Sequence, residues 1–427
     1  MPHHRMRLGW GVSTQILSRL EQNPFSVVSA TVGMVQAANQ TIWLVGSLDT
    51  IRAGAVEKAV FVTDPALPPA ILEIEVADSV AVVVLGTGEQ AGRVSGLVRY
   101  QGQLHHLESL EVAAPGLPRA SILPVPLPPL ADVYRQLAQE RRFSRTIGAL
   151  GMHTWRNLAS LKLAIVGVGR LGSLLADNFA AAGICDFCLI DPDVVEEHTL
   201  GEGSLLTPAA LGHPKAEAVA AALVLRHPTA QIEPVVASVL STTAIQHLKV
   251  SDVIVVASDS PASRLGAALV AKINLLALLD VGTGILPQGD GHHQRRGGNA
   301  RLVLPDGCLV CAGGGIADFD QAVGGLLDLR LPAPRDFRTQ RAGSLRSLNA
   351  TVAGLAAGMM EDLVAGAITA VALRKTIEHQ PDGQSRLIST FGHPQSDCPI
   401  CRTLTGSGDA GLDRAFEVVH SMLNTPR

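Results

Sequence analysis

The sequence predicts an α/β protein built on a doubly wound, mostly parallel sheet, and three observations carry this prediction. Short apolar runs rich in β-branched residues alternate with helical segments between residues 161 and 281, which is the pattern of successive βαβ units. A Gly-x-Gly-x-x-Gly motif at 167–172 lies between one such run and the helix that follows. Aspartates end several of the runs, at the sheet edge where such folds bind ligands.

Each glycine of the motif has its own physical use. Gly167 allows a tight turn after the strand predicted at 163–166, and Gly169 lets the backbone approach a phosphate. Gly172 lets the helix predicted at 173–182 pack closely on that strand. The free N–H groups and positive dipole end of the helix favour an anion. A nucleotide-binding, Rossmann-like βαβ unit is therefore predicted.

Three aspartates are predicted to meet at the carboxyl edge of the sheet. Asp191 follows a strand at 188–190 and lies 24 residues after Gly167, a position from which it can accept hydrogen bonds from ribose hydroxyls. Asp193 comes two residues later, and Asp259 ends a later apolar strand. Carboxylates converging beside a phosphate-binding helix indicate Mg²⁺ and ribose contacts. Any single one of them is alternatively a helix N-cap.

The remaining elements continue the same alternation. Helices are expected at 214–225, at 242–248 and from 262 onward, and strands at 232–236, 252–257 and 275–281. The apolar stretch at 351–373 is interrupted by two acidic residues, and we interpret it as a buried helix rather than a membrane span.

Composition limits the function classes. The chain has 427 residues, 17% of them charged and 47% apolar, which predicts two or three folded domains. The net charge of −4 and the 3% aromatic content disfavour nucleic-acid binding. Because no continuous apolar segment follows the basic N-terminal residues, we predict a cytoplasmic protein.

The chain divides into four predicted parts. Residues 1–114 show short strand-like runs, with helices possible at 14–21 and 50–57, and are predicted to form a small α+β domain of unknown role. Residues 115–130 are rich in proline and predict a semi-extended linker. Residues 131–405, beginning with a helix, hold the α/β unit, and 406–427 form a C-terminal tail or helix.

All six cysteines occur in Cys-x-x-Cys pairs. Two pairs, distant in sequence, can supply four thiolates to one structural Zn²⁺ with no open position for catalysis; they are Cys308 with Cys311 and Cys398 with Cys401. A redox pair is the alternative. The third pair, Cys185 and Cys188, approaches a strand and is interpreted as two core thiols.

Several landmarks in a fixed order resemble the ThiF/MoeB/HesA adenylyltransferases, relatives of the ubiquitin-activating enzymes. The resemblance covers residues 142–401 and rests on Arg142-Phe-Ser-Arg145, the glycine motif at 167–172, Asp191-Pro-Asp193, Gly212-His-Pro-Lys215, Ser258-Asp259 with Arg264, and the two cysteine pairs. It implies ATP-dependent activation of the C-terminal carboxylate of a ubiquitin-like or sulfur-carrier protein as an acyl-adenylate.

The resemblance also implies roles for individual residues. Lys215 would contact the phosphates, Asp259 would hold Mg²⁺, and Asp191 would bind the ribose of ATP. Arg145 would act as an arginine finger across a homodimer interface. The segment at 312–348, which would cover the carrier's C-terminus, contains no cysteine. Activation without thioester transfer is therefore the closer analogy.

Two departures leave alternatives open. Thr199 and Glu202 stand where the family usually has asparagine and arginine near the phosphates. An anion in place of a cation there costs on the order of several kcal/mol. A catalytically impaired nucleotide-binding scaffold is therefore the second hypothesis.

Arg170, inside the glycine motif, either restores positive charge or obstructs the phosphates. An NAD- or FAD-dependent oxidoreductase is the third hypothesis, supported by the glycine motif alone.

Overall fold

The described residues form two sheets, one in each half of the chain. The computed structural model describes residues 3–22, 28–37, 40–46, 57–62, 68, 79–85, 94–114, 117–121, 141–200, 205–286, 295–316, 322–323, 326, 345–380 and 382–423. We refer to the sheet formed within residues 3–121 as the N-terminal sheet and to the one formed within residues 162–392 as the C-terminal sheet.

The C-terminal sheet has eight strands, which are β10 (Lys162–Val166), β11 (Asp186–Ile190), β12 (Gln231–Val235), β13 (Val253–Val256), β14 (Ala277–Leu286), β15 (Arg295–Val303), β16 (Ala372–His379) and β17 (Ser385–Gly392). They lie in the order β12-β11-β10-β13-β14-β15-β16-β17. The first five in this order run parallel, and β14 to β17 pair antiparallel. The parallel part therefore has the strand order 3-2-1-4-5 of a doubly wound fold, as predicted.

Helices cover both faces of this sheet. The described helices of this half are α2 (Ser144–Leu150), α3 (Met152–Ala159), α4 (Arg170–Ala182), α5 (Glu197–Leu200), α6 (Lys215–Arg226), α7 (Thr242–Leu248), α8 (Pro261–Ile273), α9 (Arg346–Val364), α10 (Pro399–Leu404) and α11 (Gly411–Leu423). One face of the sheet packs on α4, α6 and α9, and the other on α7, α8 and α11. Burial on both faces explains why strands such as β13 are continuously apolar.

Within the described residues, the N-terminal sheet has nine strands, and helix α1 packs on it. The strand order is β2-β5-β6-β7-β8-β1-β4-β3, and β9 pairs with β8. Helix α1 buries Val12, Ile16 and Leu20 at four-residue spacing against this sheet. The bounds are β1 (His3–Gly9), α1 (Trp10–Gln22), β2 (Val28–Thr31), β3 (Gly33–Ala37), β4 (Gln40–Val45), β5 (Glu57–Val62), β6 (Ser79–Leu85), β7 (Val94–Tyr100), β8 (Gln103–Ala114) and β9 (Leu117–Ser121).

The predicted linker at 115–130 needs correction. Leu117–Ser121 forms β9 and pairs antiparallel with β8. Pro118 is tolerated there because β9 has β8 as its single described neighbour, so the missing N–H interrupts no second ladder. Residues 122–140, which include the rest of the linker and the helix expected from residue 131, lie outside the described residues.

Two other expectations were wrong in part. The helix predicted at 351–373 ends at Val364, before Gly366 with φ 76°, and the following residues enter β16. The helix expected at 50–57 does not reach Glu57, which begins β5, and its first seven residues lie outside the described ranges.

No helix in the described part of the chain has the length and apolar character needed to cross a membrane. The apolar helix α9 instead packs in the core of the C-terminal half, where Val352, Ala356, Met359 and Leu363 are buried.

Candidate nucleotide and metal sites

The glycine motif lies at the switch point of the parallel sheet, between the carboxyl ends of β10 and β13. Gly167 has φ 84°, and a Cβ atom there would lie 2.9 Å from the Ser258 nitrogen. The Ala257 N–H donates to the Val166 carbonyl at 2.9 Å, which holds the turn after β13 beside the motif. Open parallel sheets bind ligands at this position. Asp259, which is exposed, follows directly in that turn.

Gly169 and Gly172 have opposite surroundings. A Cβ on Gly169 would have no heavy atom within 4 Å, whereas one on Gly172 would lie 1.9 Å from the Gly167 carbonyl oxygen. Helix α4 has no side-chain hydrogen bond at its N-cap, so its first N–H groups face the space beside Gly169. This open, N–H-lined space suits a phosphate.

Asp191 holds the glycine loop in shape. It is 5% exposed, and its two carboxylate oxygens accept hydrogen bonds from the N–H groups of Val168 at 2.8 Å and Asp193 at 2.9 Å. Burial raises the pKa of this carboxyl group above its usual range. Sequence reasoning missed this loop-holding role, because a partner on the backbone leaves no mark in the residue pattern.

Asp193 and Lys215 form the accessible charged pair of the site. The Lys215 ammonium lies 2.8 Å from the Asp193 carboxylate, and their side chains are 12% and 65% exposed. The backbone fixes this arrangement, because the Lys215 N–H donates to the Asp193 carbonyl at 2.8 Å and Val194 bridges Pro214. The Gly212-His-Pro-Lys215 turn thus brings a cation to the carboxyl edge.

The predicted arginines have different surroundings. Arg145 is exposed on α2, while Arg142 bonds the ring of His227 and the Arg226 carbonyl at the end of α6. Arg264 binds Asp280 and donates to the Val281 carbonyl at 3.0 Å. Arg264 is therefore bound to β14, whereas Arg145 faces solvent.

Asp280 is the centre of a charge network that sequence reasoning missed. Its carboxylate is fully buried and binds two guanidinium groups, those of Arg264 and Arg301. Arg301 also donates to the Gly315 carbonyl. The network ties β14 to β15 and to the segment after the first cysteine pair. A charged residue inside an apolar strand is the signal that could have revealed it.

The residues that depart from the family pattern have separate positions. Thr199 is 4% exposed, and its hydroxyl accepts a hydrogen bond from the Glu196 N–H at 3.4 Å. Arg170, half-buried, begins helix α4. Glu202 lies outside the described residues.

The four cysteines predicted as metal ligands do come together. The Sγ atoms of Cys308, Cys311, Cys398 and Cys401 all lie within 4.8 Å of one another. Three of the separations are 3.5, 3.6 and 3.8 Å. A tetrahedral Zn²⁺ with Zn–S bonds of about 2.3 Å separates its sulfurs by roughly 3.8 Å, whereas a disulfide needs about 2.05 Å. The spacing fits a four-thiolate metal site.

The four thiols share protons unevenly. Hydrogen bonds with Cys308 lower the pKa of Cys398 to about 6 and hold that of Cys311 well below its usual range. Hydrogen bonds with Cys311 and Cys398 raise the pKa of Cys308, and the pKa of Cys401 is raised as well. Lys272, 3% exposed, lies next to the cluster and donates to the Pro305 carbonyl at 2.6 Å. Cys185 and Cys188 are buried and lie in separate apolar clusters, which agrees with their interpretation as core thiols.

The ThiF family model matches residues 143–399, more than half of the chain. The chain belongs to the ThiF family. The match begins one residue before α2 and ends at the first residue of α10, so it includes the glycine motif, the Asp193–Lys215 pair and three of the four clustered cysteines. The N-terminal sheet lies outside it.

Curated relatives of this ThiF-family chain include adenylyltransferases. It is 35% identical over 152 residues to the bovine (Bos taurus) adenylyltransferase and sulfurtransferase MOCS3, and the matched region covers 35% of this chain and 33% of that protein. It is 30% identical over 173 residues to the SAMP-activating enzyme E1 of Haloferax volcanii, covering 40% of this chain and 60% of that enzyme. The chain thus spans about a third to three fifths of these relatives.

Among solved structures, one of E. coli MccB with ATP covers 64% of this ThiF-family chain and 80% of that chain, with 17% identity and a TM-score of 0.47. A crystal structure of PaaA covers 61% of this chain and 81% of that chain, with 19% identity and a TM-score of 0.44.

Proposed function

We propose that the chain is an ATP-dependent adenylyltransferase that activates the C-terminal carboxylate of a ubiquitin-like or sulfur-carrier protein as an acyl-adenylate. The observation that carries the proposal is the Asp193–Lys215 pair, which lies at the carboxyl edge of a doubly wound sheet. Family membership and the adenylyltransferase relatives support it, and they leave the oxidoreductase hypothesis without support.

The proposed chemistry uses few groups. Attack of the carrier carboxylate on the α-phosphorus forms one P–O bond and breaks the bond to the pyrophosphate that leaves. Both reactants are anions, so the main task is to neutralise and position them. We assign Lys215 to the phosphates and the exposed Asp259 to Mg²⁺. Asp193, rather than the backbone-bound Asp191, is the carboxylate available to the ribose.

We further propose that the enzyme is a cytoplasmic homodimer whose partner supplies Arg145. The exposure of Arg145 on α2 supports delivery to a second subunit. Six free cysteines suit a reducing compartment. We assign Zn²⁺ a structural role in the cluster, because four cysteine ligands leave no open position for catalysis.

ATP–pyrophosphate exchange tests the proposal. With small carrier proteins that end in Gly-Gly, we expect exchange that disappears when the carrier's last glycine is removed. Lys215→Ala should lower the exchange rate by roughly 10²-fold or more, the usual effect of removing one transition-state cation or donor. Lys162→Ala, at the opposite end of β10, is the matched control and should retain the rate. Mixing Lys215→Ala with Arg145→Ala protein should restore part of the rate if Arg145 acts across subunits.

The scaffold alternative rests on Thr199 and Glu202, of which Thr199 lies within the described residues. The Thr199 hydroxyl is buried and accepts a hydrogen bond from the Glu196 N–H. Thr199 therefore does not supply the phosphate contact that the family's asparagine would make. Calorimetric titration with ATP and Mg²⁺ separates the two functions. Nucleotide binding without exchange for any Gly-Gly carrier would favour the scaffold, whereas carrier-dependent exchange would exclude it.

A further inference from the structure

The N-terminal sheet meets the rest of the chain through bare backbone. A Cβ atom on Gly33 would lie 2.2 Å from the Gly406 carbonyl oxygen, and one on Gly46 would lie 2.4 Å from the Thr405 carbonyl oxygen. On the opposite side, Gly408 has φ 61°, and its Cβ would lie 2.4 Å from the Met34 carbonyl oxygen. Glycines on both sides thus allow β3 and β4 to touch the segment at 405–409.

Polar and apolar contacts complete this interface. Asp409 accepts a hydrogen bond from the Gln36 N–H at 3.0 Å and binds the buried Lys249 ammonium at 3.1 Å, so one carboxylate joins β3 to the C-terminal half. Arg7 donates to the Asn274 carbonyl at 3.0 Å within the buried interior. Leu275 forms one apolar cluster with three residues of β3 and β4, namely Val35, Ile42 and Leu44.

Both cysteine pairs adjoin the interface directly. Cys401 lies in α10, and the chain passes from the end of this helix straight into Thr405. Two residues before Cys308, Asp306 faces Gly9 at the end of β1, where a Cβ would lie 3.1 Å from the Asp306 carboxylate. Part of the surface that receives the N-terminal sheet is therefore formed by residues that flank Cys308 and Cys401.

Helix α10 cannot hold this surface without support. It has six residues, too few for a helix to persist by its own hydrogen bonds. The residues before it, 393–397, are exposed. Residues 405–409 are also restrained by the packing of Ile400 and Leu404, by the Gly406 N–H that donates to the Lys272 carbonyl at 3.2 Å and by the Asp409–Lys249 ion pair. A metal bound to the cysteine cluster would add a restraint on α10 itself.

We propose that metal binding by the four cysteines holds the N-terminal sheet docked on the C-terminal half of the chain. Loss of the metal releases α10 and residues 405–409, and the N-terminal sheet then separates while the nucleotide-binding part stays folded. This coupling goes beyond the proposed function, since it concerns a part of the chain outside the family match and does not depend on adenylation.

Hydrogen–deuterium exchange of the full chain tests the coupling, with metal content measured on the same samples. Zinc-loaded protein is compared with protein stripped by a chelator under reducing conditions. Within residues 33–37 we expect the Gln36 amide, whose N–H donates to Asp409, to exchange roughly 10- to 100-fold faster after stripping, the change that follows loss of a charge-assisted hydrogen bond. Exchange in α4 should be unchanged.

Two outcomes would overturn the proposal. Unchanged protection of residues 33–37 in verified metal-free protein would show that docking is independent of the metal. Loss of protection in α4 as well would show that the metal supports the whole fold rather than docking.

A glycine variant tests the interface from the other side. Gly46→Ala places a methyl group against the Thr405 carbonyl, so it should speed exchange at residues 33–37 even in protein that keeps its zinc. Gly354→Ala, on α9 with no heavy atom within 4 Å of the added Cβ, is the matched control. Parent-like exchange in Gly46→Ala would contradict the docking geometry.

Discussion

The glycine motif offers a pair of methyl substitutions with opposite consequences. In Gly172→Ala the new Cβ lies 1.9 Å from the Gly167 carbonyl oxygen, so α4 must move by about 1.5 Å to reach ordinary contact. Overpacking of this kind costs roughly 1–3 kcal/mol. For a domain of 150–250 residues each kcal/mol lowers Tm by about 2–4 °C, which predicts a fall of about 2–12 °C.

Gly169→Ala should leave the fold intact and affect the ligand. The added methyl meets no heavy atom within 4 Å, and φ at Gly169 is −66°, which alanine adopts freely. We expect a change in unfolding free energy within about 0.5 kcal/mol. The methyl would occupy the space proposed for a phosphate, and the loss of one charge-assisted N–H bond should weaken ATP binding by roughly 10- to 100-fold.

Thermal unfolding and calorimetric ATP titration of both variants measure these effects. Gly354→Ala, which adds a methyl on α9 in open space, is the control for both assays. The reasoning is refuted if Gly169→Ala binds ATP as tightly as the parent, or if it loses as much stability as Gly172→Ala.

Two further predictions concern buried charge. His4 is 1% exposed and accepts a hydrogen bond from Trp43, and burial lowers its pKa to about 4. Between pH 4 and 6.5 the unfolded chain therefore binds more protons than the folded one. The free energy of unfolding should fall by roughly 3 kcal/mol as the pH drops through that window. Denaturant titrations measure this pH dependence of the free energy of unfolding. We expect the parent and His106→Gln to show it and His4→Gln to lose it. Asp280→Asn leaves two guanidiniums facing each other and should cost about 3–5 kcal/mol, with Asp413→Asn, exposed on α11, as control; a Tm equal to the control would contradict the network.

The sheet of the C-terminal half could be predicted because its signals are local. An apolar run, a glycine turn and an amphipathic helix each leave a pattern in neighbouring residues, and α7 at Thr242–Leu248 matches its prediction at both ends. The four cysteines could be predicted to meet because tetrahedral thiolate sites restrict the possible partners. The glycines of the motif were found from a local pattern of this kind, whereas the role of Lys215 was expected from the family resemblance.

Other features depend on contacts between distant residues and could not be predicted. The apolar run beyond Val364 changes from helix to strand, since both elements bury the same residue types. Asp191 is predicted to bind the ribose, and its hydrogen bonds with the backbone N–H groups of Val168 and Asp193 are an additional feature that the residue pattern does not reveal. Docking of β3 depends on glycines about 370 residues apart, Gly33 and Gly406, and a lone glycine carries no address for its partner.

The burial of the third cysteine pair has a consequence for thiol chemistry. Burial raises the pKa of Cys188 to about 12, so about one molecule in 10⁵ carries the reactive thiolate at pH 7. Cys185 is buried as well, with its thiol directed to the Gly183 carbonyl. Alkylating reagents should therefore bypass both in the native protein. Any rapid labelling would therefore report on the four clustered sulfurs alone. The rate of their modification would then measure how fast they lose a bound ion.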